Sequence, residues 1–446
     1  MILLENAIIV TSEKEEKGTI IIEDTKILDV LYSSGENYPH DVWNYRKQAE
    51  KVMDLEGRHV IAGGIDAHVH FREPGLTHKA DMATESLAAV AGGVTSVMDM
   101  PNTSPATTTA ETLKQKIALA KEKSVAKMSF HIGATNENVE DICRLISEGD
   151  SETGITPEDI AGVKVFMGSS TGNMLVDANN TLEKLFSIKE KPVLVHCEDE
   201  STIKENLAKA IETYGEEIPF REHENIRSRK ACIKSSIKAL EMAMKHGTRL
   251  VLCHISTKEE IQMVRAAKAT NPNIIAETSC NYLWFCNEDY DRLGSKAKCN
   301  PSVKGAEDRR ALREALASGG IDTIGSDHAP HLLQEKDAPY CKAPSGLPTI
   351  QQSLPVLLTI AHDEEIPLTK IAAVFSENAS NIYGINRGKI AKGYDADLVV
   401  FDYSQTFEVK ASDQFGKCGW TPYEGTTLRG VIEKVYINGK EIKHIK

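Results

Sequence analysis

The sequence lacks the positive charge that would favour a nucleic acid or an anionic membrane surface as partner. Lysine and arginine number 52 against 65 acidic residues, a formal net charge of -13. With that balance no basic patch is available to release counterions from phosphate, so we expect no nucleic-acid or membrane partner. The start, MILLENAIIV, has no basic segment, contains Glu5 and is too short for a transmembrane helix.

Paired cysteines are missing as well. The nine cysteines are scattered singly, and no Cys-x-x-Cys pair occurs. An odd number of isolated thiols, several inside apolar runs, is typical of reduced and mostly buried cysteines. We therefore predict a cytoplasmic protein.

From about residue 62 to 380 the sequence alternates between apolar runs and amphipathic helical windows. The apolar runs read as eight strands, at Val60–Ile65, Val94–Met100, Met128–Ile132, Val163–Met167, Val193–His196, Leu250–His254, Ile274–Thr278 and Asp322–Ser326. Such alternation indicates βα units and a parallel sheet. The number of units and their total length match an α/β fold of the (β/α)8 TIM-barrel type; an open doubly wound sheet is the alternative.

The two ends of the chain read differently, as short strands separated by polar turns. Ile2–Val10 is an example at the start, and Gly388–Asp402 and Gly430–Lys440 are examples at the end. We predict that residues 1–60 and 385–446 pair into a small β-sandwich domain beside a barrel formed by residues 61–384.

Polar side chains gather at the carboxyl ends of the predicted strands, where barrel active sites lie. His68 and His70 are two residues apart in an extended segment and point to the same side, while later strands end near His196, His254 and Asp327. One such histidine alone would be read as a packed core residue. Together the five are ligand types that zinc prefers, and they are too many for one catalytic ion, so two divalent ions are predicted.

Lys164 lies on the fourth predicted strand, within GVKVFM. A protonated ammonium has no lone pair for a metal and would be repelled by two cations. Next to two ions we therefore predict a carboxylated amine, whose carbamate can bridge them. An ordinary lysine that extends from a strand end towards water is the alternative.

The chain resembles the amidohydrolase superfamily and, within it, the dihydroorotases. DAHVHFREPG and GSDHAPHLLQEK are similar to the two segments that identify dihydroorotases, and AGGVTSVMDMPNTSP, GVKVFM, VLVHCED and APSGLP follow in the expected order. The likeness covers nearly the whole chain. It implies reversible cyclisation of N-carbamoyl-L-aspartate to L-dihydroorotate, the third step of pyrimidine synthesis, at a binuclear zinc centre.

The resemblance also implies roles for individual residues. One metal ion would be bound by the first pair of histidines and the other by the second pair, with a carboxylated bridge between them: His68 and His70, His196 and His254, and Lys164. Asp327 would bind the first ion and carry the proton. The implied substrate contacts are Arg72, Asn102 and His331 to the carboxylate, Asn300 to the ring, and the backbone at Ser345 and Gly346. Relatives are commonly homodimers.

The chain departs from its relatives at two points. Many relatives have a Thr-Pro-His run after strand seven, where this chain has Thr278-Ser279-Cys280-Asn281, so the pocket wall is expected to differ. Some relatives also use an aspartate as the bridge. Cys253, next to a proposed ligand, is expected to face away from the site because neighbours on a strand alternate.

Two alternative functions remain open. A hydantoinase or allantoinase would share the metal ligands. Arg72 and Asn102 disfavour both, because residues that bind a substrate carboxylate would have no role with a neutral ring. A metal-free scaffold that assembles with aspartate transcarbamoylase is the alternative from another class. It is disfavoured because every ligand position is filled.

Overall fold

Both ends of the chain contribute to one sheet in the computed structural model, which describes residues 1–168 and 174–443. Its strands are β1 Ile2–Val10, β2 Glu15–Glu23, β3 Lys26–Tyr32, β4 Lys51–Asp54, β5 His59–Ala62, β14 Leu398–Glu408, β15 Thr427–Ile437 and β16 Lys440–Glu441. Their order is β16-β15-β14-β5-β1-β2-β3, with β4 paired to β1. The predicted association of the two ends is therefore present, although residues 444–446 lie outside the described part.

The second sheet is parallel, and its eight strands follow one another in chain order. They are β6 Gly64–Val69, β7 Val94–Asp99, β8 Lys127–Gly133, β9 Ile160–Phe166, β10 Val193–His196, β11 Leu250–Leu252, β12 Ile274–Thr278 and β13 Thr323–Ile324. A parallel bridge between Val69 and His328 joins the segment after β13 to β6, and the His70 amide donates to the His328 carbonyl at 2.8 Å. The predicted TIM barrel is confirmed.

The first predicted barrel strand, Val60–Ile65, is wrong because it spans parts of both sheets. β5 pairs with β1 and β14, whereas β6 pairs with β7. Hydrophobicity alone does not reveal where one buried strand ends and the next begins. The break between the two strands falls at Gly63. A larger residue would not fit there, because a Cβ added to Gly63 would lie 2.2 Å from Thr95 Oγ1.

The helices lie between strands, the first between β3 and β4 of the terminal sheet and the others between β6 and β14, around the barrel. They are α1 Tyr38–Arg46, α2 Met82–Ala91, α3 Ala110–Lys123, α4 Val139–Glu148, α5 Asn179–Phe186, α6 Glu200–Tyr214, α7 His223–Ile226, α8 Arg229–His246, α9 Lys258–Lys268, α10 Cys280–Trp284, α11 Asp289–Leu293, α12 Ala306–Ser318, α13 Leu333–Lys336, α14 Ser353–Asp363, α15 Leu368–Ala372 and α16 Asn378–Tyr383. Within the described residues, none of them is long and apolar enough to cross a membrane.

Alternation along the barrel strands divides the core into two parts. On β10, Val193 and Val195 join the large core between strands and helices, whereas Leu194 packs inside the barrel with Val251 and Cys253. His196 follows Leu194 in the inward register. Strand register therefore delivers its imidazole to the barrel mouth.

Candidate metal centre

A cavity of about 450 Å³ opens at the carboxyl ends of the barrel strands. All the residues predicted for the site line it, namely His68, His70, Arg72, Asn102, Lys164, His196, His254, Asn300, Asp327, His331, Ser345 and Gly346. They are spread over more than 270 positions of sequence and are brought together by the barrel. Most of these side chains are buried.

The first histidine pair is oriented by hydrogen bonds on its far side. His68 Nδ1 lies 2.7 Å from Glu277 Oε1, and His70 Nδ1 lies 2.7 Å from Asn102 Oδ1. Both Nε2 atoms consequently face Asp327 Oδ1, at 3.5 and 3.2 Å. The three potential ligand atoms lie within 4.8 Å of one another, and a His, His, Asp set suits a divalent ion such as zinc.

In the second histidine pair, only one ring is held on its far side by a hydrogen bond to a described residue. His196 Nε2 contacts the buried Glu198 carboxylate at 3.0 Å, and Glu198 in turn is paired with Arg227. His196 Nδ1 therefore faces the cavity, 2.8 Å from His254 Nε2. The other ring nitrogen of His254, Nδ1, is buried without a partner among the described residues. The two ring nitrogens that face each other, His196 Nδ1 and His254 Nε2, could therefore also bind a metal ion.

The backbone is strained where two of the proposed ligands leave their strands. β11 ends at Leu252, and His254 has a φ of 39°, while Asp327 beyond β13 has a φ of 49°. Positive φ is uncommon for residues other than glycine and concentrates at functional sites. The expectation that Cys253 faces away is wrong, because Cys253 follows Val251 in the inward register and the turn at His254 brings that ring inward too.

Lys164 is fully buried inside the barrel. Its Nζ donates to Cys253 Sγ at 3.3 Å, and within the described part of the chain it has no carboxylate partner. Among the described residues, this buried amine therefore lines the same cavity as the two histidine pairs without forming an ion pair.

Burial sets the ionisation of the site. It lowers the pKa values of His68 and His254 well below the usual range, so both rings are neutral and keep a lone pair for a metal. Burial opposes ionisation of Asp327, but its contacts with His68 and His70 outweigh this and hold its pKa below the ordinary value. Burial raises the pKa of Glu277 to about 7.

Cationic and amide groups also line the cavity. Arg72 is 7% exposed, donates from Nε to the Pro330 carbonyl at 3.1 Å, and holds Nη2 3.0 Å from His331 Nε2. Burial lowers the pKa of Arg72 to about 10, which still leaves the guanidinium charged at neutral pH. Asn300 Oδ1 is buried without a partner among the described residues, so it is free to accept from a ligand.

Three supporting residues escaped the sequence analysis. Glu277 interrupts the apolar strand β12, and an acidic side chain in a buried strand is a usable signal. Glu198 stands two residues after His196, at the spacing that places both on one side of an extended segment. Arg227 lies in the short connection between α7 and α8, and its role depends on a contact with Glu198 that local sequence does not reveal.

Comparison with known proteins gives consistent matches. The amidohydrolase family model matches residues 59–442. A dihydroorotase of Methanosarcina acetivorans is 34% identical over 389 residues, which cover 84% of this chain and 80% of that protein. An allantoinase of Desulfitobacterium hafniense is 30% identical over 456 aligned positions, with 99% and 95% of the two chains covered. The L-hydantoinase of Arthrobacter aurescens superposes with a TM-score of 0.88 at 23% identity, over 99% of this chain and 95% of that one, and so shares its fold.

Proposed function

The chain belongs to the amidohydrolase family, and on that premise we propose that it is a dihydroorotase, which interconverts L-dihydroorotate and N-carbamoyl-L-aspartate. The observation that carries the proposal is the position of Arg72, a buried guanidinium that lines the same cavity as the histidine cluster. A planar fork of donors suits a substrate carboxylate. The dihydroorotase relatives at 34% identity support the same substrate.

The family is metal-dependent, and we propose two zinc ions as the cofactor. His68, His70 and Asp327 would hold one ion, and His196 and His254 the other. Carboxylated Lys164 would bridge them, which accounts for a buried amine that lacks a carboxylate partner among the described residues. When bound, such ions supply Lewis acidity and a hydroxide nucleophile at neutral pH.

The other residues of the cavity would bind the substrate and transfer the proton. Arg72, Asn102 and His331 would hold the substrate carboxylate, while Asn300 and the backbone at Ser345–Gly346 would orient the ring. For ring opening, an Asp327 carboxylate oxygen would accept a proton from the attacking water and deliver it to the ring nitrogen as the carbon–nitrogen bond breaks. The water is thus split between the carbonyl carbon and the nitrogen, and ring closure reverses each step.

The related cyclic amidohydrolases remain the second candidate function. The allantoinase relative spans 99% of this chain, and allantoinases and hydantoinases would use the same metal ligands. Arg72 disfavours them, because burial of a guanidinium without an anionic substrate is costly. We further propose that the protein is a homodimer and that it is cytoplasmic. All nine cysteines are free, which fits a reducing compartment.

Protein reconstituted with zinc tests the function directly. We expect turnover of L-dihydroorotate and, from N-carbamoyl-L-aspartate, formation of the ring at acidic pH. A zinc-loaded protein that catalyses neither direction would refute the proposal.

A further inference from the structure

Two buried lysines contact the backbone segment that lines the substrate side of the cavity. Lys336, at the end of α13, is 1% exposed, and Lys298 is 7% exposed. Within residues 1–168 and 174–443 neither ammonium forms an ion pair with a carboxylate. A buried charge without a partner costs stability, so its position calls for a physical reason.

Both ammonium groups bind carbonyl groups of one segment, residues 340–346, which we call the cavity wall. Lys336 Nζ donates to the carbonyls of Pro344 at 2.8 Å, Gly346 at 3.2 Å and Lys298 at 3.2 Å. Lys298 Nζ donates to those of Tyr340 and Ala343, both at 2.6 Å, and lies 4.2 Å from the centre of the Tyr340 ring. The three donors of Lys336 are all used, and none is left over for an anion.

The wall contributes directly to the cavity. Pro344, Ser345 and Gly346 line it, and the Gly346 amide donates to the Lys298 carbonyl at 2.9 Å. A side chain cannot replace the glycine hydrogen, since a Cβ at Gly346 would lie 2.4 Å from the Ala329 carbonyl oxygen. The two lysines therefore fix a close-packed backbone segment against the space that the ring would occupy.

Neighbouring cations add to the cost of this burial. Lys298 and Arg72 both lower the pKa of Lys336, and Arg227 lowers that of Lys298. Burial is the main cause of that lowering, which brings the pKa of Lys336 to about 7 and that of Lys298 to about 8.

We propose that Lys298 and Lys336 are positioning residues that clamp the cavity wall against the bound ring. The clamp comes from the carbonyl contacts, which hold the backbone of residues 340–346 in place. The proposal rests on the proposed function, because it assumes that the ring of the substrate lies in this cavity.

The test compares Lys336→Met and Lys298→Met with the wild-type zinc enzyme. The probes are orotate, a planar ring with the carboxylate, and dihydrouracil, the ring without it, each measured as a competitive inhibitor and by calorimetry. We expect both ligands to bind about tenfold more weakly to each variant, because the wall beside the ring is no longer held in position. Lys342→Met is the matched control, since Lys342 belongs to the same segment but is exposed and does not line the cavity.

Hydrogen exchange of peptides covering residues 340–346 tests the clamp without any substrate. We expect exchange to accelerate about tenfold in Lys336→Met and to stay unchanged in Lys342→Met. Unchanged binding of both ligands, or unchanged exchange, would overturn the clamp. Failure of the proposed function is distinguishable, because the wild-type enzyme would then neither open dihydroorotate nor bind orotate, while the exchange result still decides the clamp.

Discussion

Glu277 and His68 form a buried pair, with Glu277 Oε1 2.7 Å from His68 Nδ1. The contact fixes the tautomer and the direction of the ring, so that Nε2 faces Asp327. The space is tight: a Cβ at Gly325 would lie 2.7 Å from His68 Cβ and 2.8 Å from Glu277 Cδ. Glu277 would therefore act on the metal through the histidine that it holds.

Glu277→Gln should weaken metal binding and activity together. The amide keeps the shape of the side chain but is a poorer acceptor, and loss of such an outer partner typically costs about 10–100-fold in metal affinity or activity. Competition with a zinc chelator measures the affinity. Glu314→Gln, on the exposed side of α12, should change neither quantity. Unaltered zinc affinity in Glu277→Gln would show that the pair is only structural.

Lys164→Ala should lose metal and turnover. If Lys164 is the bridging carbamate, its removal deletes a ligand of both ions, and elemental analysis should find fewer than two ions per chain. Acetate added to the variant should restore part of the activity, because a small carboxylate can enter the space that the side chain vacates. Full metal content and normal turnover in the variant would rule out the bridge.

Arg72→Met should raise the KM for dihydroorotate about 10–100-fold, the range expected when a hydrogen bond to a charged group is lost. Arg72→Lys should recover only part of this, since an ammonium keeps the charge but not the planar fork. Inhibition by dihydrouracil, which has no carboxylate, should not change. A similar loss for both ligands would mean that Arg72 shapes the cavity and does not recognise the carboxylate.

The buried Lys336 should make stability depend on pH. Burial lowers its pKa from the ordinary value of 10.5 to about 7, so between these values the unfolded chain holds a proton that the folded chain has released. Stability should therefore rise with pH through that window, by roughly 4–5 kcal/mol from this group. Urea unfolding at pH 6 and pH 10 measures the effect. In Lys336→Met the increase in unfolding free energy between these pH values should be smaller by this amount. An identical increase in both proteins would contradict a lowered pKa for Lys336.

The sequence predicts the barrel and the residues that line the cavity well, because both depend on strand register. His196 reaches the cavity in register with Leu194, as alternation requires. His254 does not follow alternation: Cys253 keeps the inward register of Val251, and the positive φ at His254 then brings the His254 ring inward as well. Backbone strain of this kind is maintained by tertiary packing, which the local sequence does not show.

Residues that act through a distant partner were harder to predict. Arg227 and Glu198 are 29 positions apart and meet only in the folded chain. Lys336, within the polar run QEK, would ordinarily be read as solvent-exposed, and only the return of residues 340–346 over it buries the ammonium. Burial of a charged side chain by a later segment depends on tertiary structure and has no local pattern.

The most direct test of the central claim is the ratio of kcat/KM for L-dihydroorotate to that for hydantoin and allantoin, measured on one zinc-loaded preparation. The carboxylate clamp at Arg72 predicts that dihydroorotate is preferred by at least about 100-fold, which corresponds to one or two charge-assisted hydrogen bonds. A preparation that opens hydantoin or allantoin faster than dihydroorotate would contradict it.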